Sequence, residues 1–228
     1  RPRPGEVALA HLGVLFLDEL PEFIPQVLDA LRQPLESGEV VIARANHRIT
    51  YPSRIQLVAA MNPCRCGKAN EPGLSCARGR DCAERYQARV SGPLLDRIDI
   101  QIEVPAISAA DLSLPPPRED SATVRDRVVA ARARQVERYE RLGLKRTRTN
   151  ADCGVSALEE VARPDAQGAA LLRDAADKLG LSARGYHRTL KVARTLADLE
   201  QSSDVRRHHI AEALTYRGET LRRSAVAR

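Results

Sequence analysis

Residues 14–19 read Val-Leu-Phe-Leu-Asp-Glu, four apolar side chains running without a break into two adjacent carboxylates. No other feature of the chain narrows its fold as much. A short unbroken apolar run reads as a strand buried on both faces, the habit of a central strand in a parallel sheet covered by helices. Such sheets bind ligands at the carboxyl ends of their strands. There, Asp18 can hold Mg²⁺ beside nucleotide phosphates and Glu19 can polarise an attacking water. An acid at a strand end is also an ordinary turn residue, so the pair needs partners.

Three further polar points supply candidates. A second apolar run, Ile55-Gln-Leu-Val-Ala-Ala-Met-Asn62, ends in an amide. If the two strands are neighbours, Asn62 stands beside Glu19 and orients the same water; a strand-terminal turn is the plain alternative. Arg97, in Ser-Gly-Pro-Leu-Leu-Asp-Arg, sits on a short loop from which it can reach a phosphate in an adjacent subunit. An ion pair with Asp96 or Asp99 explains it equally well. Arg184 opens a helix on which Arg184, Arg188 and Lys191 share one face, while Tyr186, Leu190, Ala193 and Ala197 mark another. A basic stripe is often only a solvated face, but an Arg at a helix start can also reach a γ-phosphate.

The pattern predicts a strand over 12–17, a helix over 20–38 with Phe23, Val27, Leu28, Leu31 and Leu35 inward and Gly38 as its stop, and a hairpin over 39–52 turning around Ala45-Asn46-His47. It continues with a strand over 55–62, an irregular Cys/Gly/Pro/Arg loop over 63–82, a short helix over 82–90 and a strand over 98–105. Residues 113–120, with three consecutive prolines, read as a linker. Beyond it the strand signals stop. Helices are expected over 121–142, with Val124, Val128, Val136 and Tyr139 on the buried face, and near 155–162, 168–179, 182–200 and 207–223.

Charge divides the chain at the same place. Residues 1–120 carry 14 Lys/Arg against 16 Asp/Glu, and residues 121–228 carry 22 against 14. A basic half suits a polyanionic partner, or simply Arg-rich solvated helices. Arg44, His47 and Arg48 gather at the expected hairpin tip, where they can touch DNA phosphates without reading sequence; packing on a neighbouring subunit is the alternative. No aromatic residues interleave them, so base stacking is not indicated. Four of the five cysteines, Cys64, Cys66, Cys76 and Cys82, fall in a C-x-C-x₉-C-x₅-C pattern. Four thiolates can close a structural Zn²⁺ site, and reduced thiols in a loop are the alternative. Cys153 stands alone. No apolar run is long enough to span a bilayer, and no signal peptide is visible. The first residue is Arg, and the opening reads as the continuation of a longer chain.

The blocks PGEVALAHLGVLFLDELPEF, VLDALRQPLESGEVVIARA, YPSRIQLVAAMNPCRCG, SGPLLDRIDIQIEVP and LSARGYHRTLKVARTLADL resemble, in order and over nearly the whole chain, the magnesium-chelatase-like AAA+ proteins of the ComM/YifB group. The resemblance implies that Asp18 and Glu19 are the Walker B pair, Asn62 sensor 1, Arg97 the arginine finger and Arg184 the sensor 2 arginine. It implies ATP and Mg²⁺ as cofactors, a homo-hexameric ring with ATP between subunits, a bacterial cytoplasmic location, and a pore-directed hairpin at residues 39–52. It further implies a DNA-translocating, branch-migrating helicase linked to natural transformation. No G-x-x-x-x-G-K-[ST] occurs in these 228 residues; that loop cradles phosphates with its backbone N–H groups and lysine. Family members carry it upstream, so the chain by itself is expected to hydrolyse little or no ATP.

The expected fold is therefore α/β, a partial AAA+ P-loop-type parallel sheet over 1–112, then the linker, then an all-α lid over 121–228. Two other functions stay open. One is a magnesium-chelatase motor subunit that remodels a partner protein; the other is a zinc-stabilised binding module without catalysis.

Overall fold

A computed structural model describes residues 3–44, 47–67, 80–105, 107, 111–113, 115 and 119–217, without the side chains of Arg44, His47, Arg80 and Leu112. The chain divides into two compact units, Arg1–Ile98 with Val104–Ala106, and Asp99–Glu103 with Ile107–Arg228.

The first unit runs α1 (Glu6–Leu9), β1 (Val14–Leu17), a 3₁₀ turn (Leu20–Glu22), α2 (Pro25–Ala30), α3 (Pro34–Ser37), β2 (Glu39–Arg44), β3 (His47–Pro52), β4 (Gln56–Ala59), α4 (Arg80–Gln87) and α5 (Gly92–Leu95). β1 and β4 pair in parallel, Val14 against Gln56 through Leu17 against Ala59. β2 and β3 form the expected hairpin, antiparallel from Glu39–Pro52 to Arg44–His47. His47 thus belongs to the strand rather than to the turn, and Ala45 and Asn46 lie outside the described residues.

The helix predicted over 20–38 is broken, and prolines stand at the breaks. Pro25 starts α2 and holds Ile24 extended, at φ −62° and ψ 129°. Pro34 starts α3. Gly38 does end the segment: it takes φ +70°, and a Cβ there would meet Arg54 Cγ at 3.1 Å. Leu28 and Leu31 are buried with Leu20, Val90, Leu94 and Leu95, and Leu15 and Leu17 of β1 pack against them. Val27, expected inward, is exposed. So is the other face of β1: the apolar run reads as covered on both faces, but within these 228 residues Val14 and Phe16 are each 59% exposed, while Leu15 and Leu17 are partly buried. The strand expected over 98–105 is not formed: among the described residues the segment joins no ladder, and Ile102 and Val104 are exposed.

The second unit carries a 3₁₀ turn (Asp111–Ser113), α6 (Ser121–Arg141), a second 3₁₀ turn (Asn150–Asp152), α7 (Val155–Val161), α8 (Ala166–Leu179), α9 (Ala183–Leu199) and α10 (Arg207–Thr215). Residues 218–223, the end of the last predicted helix, lie outside the described residues with the rest of the C-terminus, as does much of the Pro-rich linker. Each long helix starts on a side-chain cap: Asp120 accepts from the Thr123 N–H at 2.8 Å, Asp165 from Gly168 at 2.6 Å and Ser182 from Gly185 at 3.0 Å. Tyr139, Leu158, Leu172, Leu190, Ala193, Ala197 and Ile210 share one core. Val124 and Val128 do not join it; only the C-terminal half of α6 buries a face, through Ala131, Gln135 and Tyr139.

A buried polar cluster joins α6, the Asn150 turn and α9. Asp198 takes a bidentate ion pair from Arg138 and a 3.1 Å pair from Arg194. Asn150 donates to Asp198 at 2.9 Å and to Thr195 at 2.9 Å, and accepts from the Tyr139 hydroxyl at 2.8 Å. Burial pushes the Tyr139 phenol well above its ordinary value. Among the described residues, no helix is long and apolar enough to cross a membrane.

Candidate functional site

The two apolar strands are neighbours, as the reading of Asn62 requires. Their pairing continues past the strand ends: the Ala60 N–H donates to Leu17 O at 2.9 Å, and the Leu20 N–H donates to Ala60 O at 2.9 Å. Asp18 and Glu19 lie between those two bonds, and Asn62 follows Ala60 by two residues. All three are exposed, at the carboxyl edge of the parallel pair. Glu19 takes a left-handed backbone, φ +49° and ψ +46°, unusual for a residue with a Cβ. Its N–H donates to Asp18 Oδ1 at 2.8 Å. The strand therefore ends in a tight reversal that presents two carboxylates in succession. Two carboxylates and an amide on an open edge are hard oxygen donors, the set Mg²⁺ takes when it keeps part of its water shell.

Glu22, at the end of the following turn, faces Arg89 at 3.3 Å and Arg65 at 3.9 Å. These half-exposed pairs are individually weak, but they draw the loop after Asn62 and the segment after α4 toward the turn that begins at Glu19. Burial raises the Tyr86 phenol above its ordinary value, and the Glu22 and Glu19 carboxylates push it the same way.

Arg97 follows α5. It pairs with neither Asp96 nor Asp99: Nη2 meets Glu36 Oε2 at 2.6 Å, and Nη1 donates to Pro93 O at 2.7 Å. Its Nε is buried without a hydrogen-bond partner among the described residues. The guanidinium lines an open groove of about 690 Å³ with Asp29, Gln33, Glu36, Ser37 and Val41. Glu36 is a partner the sequence reading missed; its only signal was its place in the amphipathic run after Asp18.

Arg184 lies in the second unit, in the first turn of α9, and is exposed. The rest of its stripe is not simply solvated. Arg188 pairs with Asp99 at 2.5 Å, and Lys191 donates to Ala151 O at 2.7 Å. Burial lowers the Lys191 ammonium from its ordinary value. At the hairpin tip Arg48 is exposed, while the Arg44 and His47 side chains lie outside the described residues.

Cys64, Cys66 and Cys82 come together with their sulfurs within 4.8 Å of one another. Cys76 lies outside the described residues. Cys153 is buried in the second unit, apart from them.

A small parallel strand pair followed by a unit built of helices fits a partial AAA+ fold with a helical C-terminal lid. The chain belongs to the magnesium-chelatase-like AAA+ family, in the ComM/YifB group. Residues 1–112 match the model of magnesium chelatase, subunit ChlI, and residues 118–217 match that of the ChlI C-terminal region. The competence protein ComM of Haemophilus influenzae is 48% identical over 217 residues, covering 95% of this chain and 41% of the relative. The YifB protein of Escherichia coli is 45% identical over the same shares. The magnesium-chelatase 38 kDa subunit of Cereibacter sphaeroides is 37% identical over 60 residues, 26% of this chain and 18% of that protein. The chain thus spans about two-fifths of the length of the ComM and YifB relatives.

Proposed function

We propose that the chain is part of a cytoplasmic AAA+ motor in which ATP hydrolysis drives movement along DNA. The observation that carries the ATPase half is the shared edge of Asp18, Glu19 and Asn62. Bound Mg²⁺–ATP supplies the scissile phosphoanhydride and the charge that the metal neutralises. Asp18, with one oxygen accepting the Glu19 N–H, is the residue that would hold the Mg²⁺, which would neutralise phosphate charge. Glu19 accepts a proton from the attacking water, and Asn62 holds that water in line. Arg97 acts on the nucleotide of the adjacent subunit in a homo-hexameric ring, exchanging Glu36 for phosphate. Arg184 couples the lid to the γ-phosphate. The phosphate-cradling loop comes from sequence upstream of residue 1, so the 228 residues alone turn over little or no ATP.

DNA as the track is supported by the 48% identity to a protein named for competence, by the basic second half and by exposed Arg48 at the hairpin tip. The test compares ATP turnover, with and without branched DNA, for this chain and for a version extended upstream through the phosphate-binding loop. Turnover by the extended protein alone, stimulated by DNA, is the expected result. Turnover indifferent to DNA would favour a second reading, supported by the two chelatase family models: a motor that remodels a partner protein. The cysteine cluster lies outside this chemistry.

A further inference from the structure

Two groups of candidate metal ligands exist among the described residues, and hydrogen bonding separates them. Glu200, His208 and His209 gather between α9 and α10, with each imidazole Nε2 3.0 Å from the same Glu200 oxygen. His209 Nδ1, however, accepts the Arg206 backbone N–H at 2.9 Å. A neutral ring accepting at Nδ1 carries its proton on Nε2, so His209 donates to Glu200 and has no lone pair to give a cation. That cluster is a helix-joining hydrogen-bond set.

The sulfur cluster has no such objection. Cys64 is fully buried and Cys66 is exposed, with their sulfurs 3.1 Å apart, far beyond the roughly 2.05 Å of a disulfide. A turn closed by the Gly67 N–H on Cys64 O at 3.0 Å, with Gly67 at φ +77°, brings Cys66 back beside Cys64. Cys82 arrives from sixteen residues further on, in the first turn of α4, where the helix dipole favours a thiolate. Gln87 of the same helix donates to Pro63 O at 2.9 Å and ties α4 to the loop a second time. A tetrahedral zinc with Zn–S bonds of about 2.3 Å sets its sulfurs about 3.8 Å apart. The Cys64–Cys66 pair is closer than that and all three sulfurs lie within 4.8 Å of one another, so small shifts reach it, and Cys66 faces solvent.

We propose that Cys64, Cys66 and Cys82 form a structural zinc site that clamps the loop after Asn62 onto α4. Each Sγ–Zn bond replaces a thiol proton, which leaves to solvent, so three thiolates and the cation together carry one net negative charge. Three thiolates leave the fourth tetrahedral position open to a further ligand. Soft sulfur donors select zinc over the hard Mg²⁺ of the nucleotide edge. The site does not depend on the motor reading.

The test uses this 228-residue chain, purified under reducing conditions with no metal added. Elemental analysis is expected to find about one zinc per chain. Cobalt(II) titrated into metal-stripped protein should give the sulfur-to-metal charge-transfer band and the red d–d bands of a tetrahedral thiolate site. Cys66→Ser, at an exposed position, and Cys82→Ser should each weaken zinc binding at least about ten-fold, while Cys153→Ser changes nothing. Two results would overturn the proposal: wild-type protein that holds no zinc and shows no cobalt–thiolate band, or zinc binding that Cys66→Ser and Cys82→Ser leave intact.

Discussion

Arg97 donates to Glu36 across 2.6 Å, its own side chain 9% exposed and that of Glu36 47% exposed. A pair with one open partner is worth at most about 1 kcal/mol, so a triphosphate can draw the guanidinium away from it. In the full-length protein, Arg97→Ala is expected to cut ATP turnover by about 10³-fold, and Glu36→Gln to leave it near the wild-type rate. Steady-state ATPase assays on both variants decide the matter. Equal losses would make Arg97 a structural residue of its own subunit.

Glu19 combines a proposed chemical role with a strained backbone. Its left-handed φ costs about 1 kcal/mol relative to glycine. Glu19→Gly should therefore raise the unfolding free energy by about that amount in urea titrations, while abolishing turnover in the full-length protein. Glu19→Gln should keep nucleotide binding and lose at least about 10²-fold in rate. An unchanged rate in Glu19→Gln would remove the residue from the mechanism.

Asp198 is 1% exposed and neutralises two arginines, of which Arg194 is itself 2% exposed. Its removal strands both charges. Asp198→Ala should destabilise the helical unit by about 3–5 kcal/mol, read as a lower urea midpoint by circular dichroism. Asn150→Ala, which leaves the ion pairs in place, should cost less.

The hydrogen bond from His208, followed by that from His209, holds the Glu200 carboxyl below its ordinary value of 4.5. A depressed carboxyl stabilises the fold fully above its unfolded value and loses that contribution as pH falls through the folded one. Thermal midpoints measured from neutral pH downward should therefore drop below about 4.5 more steeply in the wild type than in Glu200→Ala. Parallel curves would show that the carboxylate contributes nothing to the joint between α9 and α10.

The sequence showed the edge of the site more plainly than the cover of the strand behind it. Apolar runs ending at Asp18 and Asn62 located two strand ends, because polarity changes there whatever surrounds the strand. Which of Val14, Leu15, Phe16 and Leu17 these 228 residues cover was not legible, since all four are apolar and only packing tells them apart. The breaks at Pro25 and Pro34 were legible and outvoted by periodicity. The alternation over 98–105 reads as a strand, but alternation cannot supply the neighbouring strand that a ladder needs, and none is paired there among the described residues. Glu36 and the Asp198 cluster went unseen because each joins residues that are distant in sequence. The Arg194–Asp198 spacing of four was the one local hint.

β1 finds its partner only after the chain has passed through β2 and β3. The hairpin closes between neighbours, with Arg44 against His47, on the microsecond scale of such loops. The Leu17–Ala59 register must wait for a far longer loop to close. Assembly therefore has an order. The hairpin stands first, and the strand pair whose edge carries Asp18, Glu19 and Asn62 closes after it, so the hairpin can form on a nascent chain before residue 56 has been made.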